Sequence, residues 1–88
     1  MNVVIRWTQG GEACVRSLGA QAIVLQSTVP WPPGSRIEGI LEGAAPALLR
    51  VKVHSSRKLA EGAFLIEARP IDLARETRER IEALLRSD

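Results

Sequence analysis

Apolar and polar residues alternate through most of positions 1–70, the period of two that a half-buried strand requires. Val3, Ile5 and Trp7 lie against Val4, Arg6 and Thr8, and Ala13 and Val15 against Cys14 and Arg16. An apolar run at 22–25 predicts a third strand over about 21–27. Ile37, Gly39 and Leu41 then alternate with Glu38, Ile40 and Glu42. Leu49, Val51 and Val53 alternate with Arg50, Lys52 and His54, which gives this strand one basic face. Phe64, Ile66 and Ala68 alternate with Leu65, Glu67 and Arg69.

Turn chemistry separates these runs. Gly10-Gly11 predicts a tight turn, Gly43 to Pro46 a small-residue turn, and Ser55 to Glu61 a polar connection. Pro30-Trp31-Pro32-Pro33-Gly34 is the strongest break, because proline fixes φ and has no amide donor to give to a sheet. Six strands joined by short turns predict a small antiparallel β-barrel, since closure removes exposed edges. From Asp72 onward glycine and proline stop. Ala74, Thr77, Ile81, Leu84 and Leu85 form one apolar helical stripe, with Asp72 as the expected cap. Glu76 with Arg80, and Glu82 with Arg86, stand at the spacing of helix-stabilising ion pairs. The expectation is one domain over 1–88: a six-stranded barrel over about 1–69, and one C-terminal helix over about 71–86 that lays its apolar stripe on the barrel wall or across its open end.

Composition narrows the chemistry. The core must be aliphatic, because Trp7, Trp31 and Phe64 are the aromatic residues and tyrosine is absent. One cysteine, Cys14, forms no internal disulfide, and it lacks the companions of a zinc site. No apolar run reaches the ~20 residues of a membrane helix, and the first residues do not read as a signal peptide. A cytoplasmic protein without cofactor or metal is expected. Net charge is +2, and no block of like charge exceeds Arg57-Lys58. Nucleic-acid binders carry a basic stripe, so no nucleic-acid partner is expected.

No catalytic constellation emerges, and the chain is not expected to be an enzyme. His54 reads as a solvent-facing strand residue, Cys14 as a small apolar filler, and Ser55-Ser56 as part of a turn. The glycines do not form a phosphate-binding loop ahead of a helix. The candidate partner-binding residues are Trp31, Arg36, Arg50 and Lys52. Trp31 is held between prolines and thus loses little entropy on binding. Arg36, Arg50 and Lys52 could meet an acidic partner or an anionic ligand. The plainer reading makes Trp31 a loop anchor and the cations a solvated face.

The order of parts resembles a PilZ domain over roughly residues 10–86: short strands, a Pro-Gly loop before the fourth, and a closing helix. The stretch Ser17-Leu18-Gly19-Ala20-Gln21-Ala22-Ile23-Val24-Leu25, then Trp31-Pro32-Pro33-Gly34-Ser35-Arg36-Ile37, carries the resemblance, and Gly62 to Ala68 is similar to the family's last strand. The resemblance implies a signalling module from a bacterial host. Family members that bind cyclic di-GMP use an arginine-x-x-x-arginine segment and an aspartate-x-serine-x-x-glycine motif. Here Ser17, Gly19 and Ala22 stand at the three motif positions, and Arg6 has no second arginine four residues away. The resemblance therefore implies a degenerate member that works through a protein partner and does not bind cyclic di-GMP. The alternatives are a cyclic di-GMP receptor with an atypical site and a small nucleic-acid-binding barrel.

Overall fold

The computed structural model describes residues 3–43 and 45–86. Its strands are β1 (Val4–Trp7), β2 (Glu12–Leu18), β3 (Ile23–Ser27), β4 (Arg36–Leu41), β5 (Ala47–Lys58) and β6 (Phe64–Ile71). The helix α1 (Arg75–Arg86) follows. The strands close into an antiparallel barrel in the order β1-β2-β3-β6-β5-β4, with β4 returning to pair with β1. The sequence alternation predicts this mainly-β barrel with its C-terminal helix. The inward positions supply the core: Ile5, Ile23, Leu25, Leu41, Leu49, Val51, Val53 and Ile66 are all buried.

The two ends of the barrel are closed differently. At one end the β1–β2 and β3–β4 connections meet. There Trp7 is buried and its indole N–H donates to Ser27 Oγ at 3.1 Å. The Ser27 hydroxyl donates in turn to Val29 O at 2.7 Å, so this buried polar group is satisfied. At the other end α1 lies across the β2–β3 and β4–β5 connections. Ile81 enters the core, and Leu84 and Leu85 pack against it. Arg78 Nη1 donates to Gly19 O at 2.9 Å, and Arg80 donates to the carbonyls of Ala45 and Glu42.

Four local expectations change. Asp72 does not cap the helix: its φ is +51°, and the first helical bond runs from Arg78 N–H to Ala74 O. The cause is β6, which runs on to Ile71 opposite Arg50, so the chain must first turn away from the barrel. Pro70 lies inside β6, in the part that β3 no longer flanks, where a missing donor is tolerated. The polar segment at 55–58 is a continuation of β5, carried past a bulge that leaves His54 as the extra residue. Arg80 turns to backbone carbonyls instead of Glu76, and among the described residues the ion pair within the helix is Arg75 with Glu79 at 3.4 Å.

Candidate functional site

Arg36, Arg50 and Lys52 share the outer face of β4 and β5, because Ile37, Val51 and Val53 between them point inward. Register places Arg36 opposite Lys52, and Lys52 opposite Arg69 on β6. Three cations thus stand in one row across three strands, neighbours being ~5 Å apart at the backbone. None of the three forms an ion pair among the described residues. Glu38 and Glu67 stand one register step away, but Glu38 is already held by Arg50, with Nε to Oε2 at 3.0 Å. Like charges directly opposite each other destabilise a sheet, so the fold tolerates this row without benefiting from it. Arg69 joins the candidate residues only here. Its alternation with Ala68 places it on the outer face, but only the pairing of β6 with β5 sets it beside Lys52.

An apolar strip borders the row. Leu48 is 49% exposed and lies opposite Ile40, and Ile71 lies opposite Arg50. Two shallow pockets of ≈ 260 and ≈ 250 Å³ share Arg50 and Ile71 in their walls. Leu48 and Asp72 complete the second. Beyond Ile40, Arg6 Nε pairs with Glu42 at 2.9 Å, and that hydrogen bond, with the carboxylate's charge, raises the guanidinium pKa above its ordinary value.

Trp31 differs from the three cations. Its ring meets Trp7 edge-on, with centroids 6.1 Å apart and planes at 78°, and it is half-buried against the core. Its indole nitrogen is buried and has no hydrogen-bond partner among the described residues. The loop it holds rejoins the barrel at Gly34, whose N–H donates to Val53 O at 2.7 Å. The ring therefore fixes the Pro-rich loop onto its own barrel. Trp31→Ala removes this contact and is expected to cost about 2 kcal/mol, or a Tm lower by roughly 10 °C in so small a domain. A thermal melt within a degree of the parent would show that the ring does not hold the loop.

Ser17, Gly19 and Ala22, the positions matched to the PilZ ligand motif, lie at or beside the β2–β3 turn. That turn is engaged by the protein itself through Arg78, which reaches both Gly19 O and Ala20 O. His54 is exposed at its bulge, and Cys14 is half-buried rather than fully packed away. The architecture defines a small closed β-barrel capped by a helix at one end. In comparisons with known proteins, no family model, no curated protein and no solved structure matches this chain.

Proposed function

We propose that the chain is a non-catalytic, PilZ-like interaction module whose working surface is the outer face of β4, β5 and β6. The observation that carries the reading is the Arg36–Lys52–Arg69 row without acids opposite it, set beside the exposed Leu48. Each opposed cation pair costs the isolated domain about 0.2–1 kcal/mol, and an acidic partner relieves that cost on binding. Arginine is enriched at protein interfaces, and an exposed apolar group beside it adds area that a partner can cover. A protein partner uses both parts of the surface, whereas a nucleic acid uses the cations and leaves Leu48 idle. The reading places the module in a reducing cytoplasm, where the single thiol of Cys14 stays free.

Reversing the row decides the matter. The triple variant Arg36→Glu, Lys52→Glu, Arg69→Glu is expected to stay folded with a Tm a few degrees lower at most, because it again sets like charges opposite one another, now beside Glu38 and Glu67, while the side chains it changes are exposed or, at Lys52, half-buried. In cross-linking from host cells, a protein captured by the parent is expected to be lost by this variant. Equal capture by both would sink the reading. Isothermal calorimetry with cyclic di-GMP is expected to give no binding. A Kd of low micromolar or tighter, about −8 kcal/mol, would make the domain a second-messenger receptor instead.

A further inference from the structure

The barrel is closed, yet β5 outruns its neighbour. Pairing with β4 ends at Arg36 opposite Lys52, and the Pro-rich loop adds only the bonds of Gly34 and Ser35 to Val53. Past the bulge, Ser55 to Lys58 pair with β6 alone, from Ser55 opposite Glu67 to Lys58 opposite Phe64. Among the described residues, the other edge of this segment meets no strand and makes no further backbone bond. It spans roughly 13 Å, enough for a short added strand. The open position lies in line with β4, where the chain turns off at Pro32-Pro33-Gly34. Cations outnumber acids around it: Arg57 and Lys58 on the edge strand itself and Arg36 at the near end of β4, against Glu67 opposite Ser55 and Glu61 in the turn after β5.

We propose that this edge takes an extended acidic segment of the partner protein as an added antiparallel or parallel strand. The inference rests on the functional reading above and names its partner chemistry. Main-chain pairing supplies the affinity in such strand addition, and side chains supply the choice of partner. Charge selects the occupant. A second copy of this chain, paired edge to edge, brings two sets of Arg57 and Lys58 against each other, which disfavours self-association. A segment with carboxylates on alternate residues meets Arg57 and Arg36 instead.

The probe is a fluorescein-labelled peptide alternating glutamate and valine, titrated at low ionic strength and followed by anisotropy and by backbone amide NMR. Binding is expected to move the amide resonances of Ser55 to Lys58. Methylating the peptide's alternate backbone nitrogens, in one of the two registers, is expected to weaken binding about ten-fold, the effect of losing two or so net hydrogen bonds. Arg57→Glu is expected to weaken it comparably, and a lysine–valine peptide to bind no better than that variant. If both methylation registers bind like the parent peptide, the strand addition is wrong. In that case sensitivity to Arg36→Glu and Lys52→Glu would still leave the face itself in place. No binding up to about 1 mM, equivalent to −4 kcal/mol, overturns the strand addition outright.

Discussion

Ile81→Asp is expected to release the helix from the barrel and to lower the Tm by more than about 15 °C. Ile81 is fully buried and is the point at which α1 enters the core. Truncating a buried isoleucine alone costs about 2–5 kcal/mol. An unpaired carboxylate at that position adds the cost of burying a charge, so the helix leaves rather than carry it inward. A domain of this size has roughly 4–13 kcal/mol of stability in total, so a loss on this scale is a large share of it. The hydrogen bonds of Arg78 and Arg80 to loop carbonyls do not hold the helix in compensation, because each is exposed and of modest net worth. Circular dichroism would then show a lower Tm together with reduced helix signal at room temperature. A melt within about 2 °C of the parent would mean that the helix does not support the barrel.

The strands were legible because each has one face in the core, and that requirement writes a period of two into the chain. Ile37, Leu49, Val51, Val53 and Ile66 all carry this signature and all are buried. What the pattern could not convey is pairing. Ser55 to Lys58 read as a polar connection because they lack alternation, yet β6 lies alongside and draws them into the sheet. Asp72 had the chemistry of a cap, but the extension of β6 to Ile71 moved the helix start beyond its reach. The candidate site was half legible for the same reason. Arg36, Arg50 and Lys52 could be assigned to an outer face from alternation, whereas the row they make with Arg69 exists only through the registers of two strand pairs. Trp31 was legible as the residue that matters in its loop, but not the direction of its ring, which depends on Trp7 far away in sequence.

Gly39 is where sequence and packing meet most tightly, and Gly39→Ala is expected to destabilise the barrel although alanine suits a strand better. Glycine inside a strand is unfavourable by roughly 0.5–1 kcal/mol relative to alanine, so propensity alone favours the substitution. Space decides against it. A Cβ at Gly39 would stand 2.5 Å from Ile5 Cγ2, 2.9 Å from Trp7 Cε3 and 3.0 Å from the Arg6 carbonyl oxygen. None of these neighbours can yield easily. The carbonyl belongs to β1, the strand bonded to β4 at this point, and Ile5 is fully enclosed. Trp7 is held on one side by its hydrogen bond to Ser27 and on another by the edge of Trp31. Overpacking of this kind costs typically 1–3 kcal/mol, which outweighs the gain in propensity. The expected result is a Tm lower by about 5–15 °C, with Gly39→Val worse than Gly39→Ala. Because the displaced group is an indole, intrinsic fluorescence provides a second reading: Trp7 pushed from its place between Ser27 and Trp31 is expected to emit further to the red. A Gly39→Ala protein as stable as the parent, with unchanged emission, would show that the β1–β4 seam opens enough to admit a methyl group, and that the glycine is not there to make room for the tryptophan.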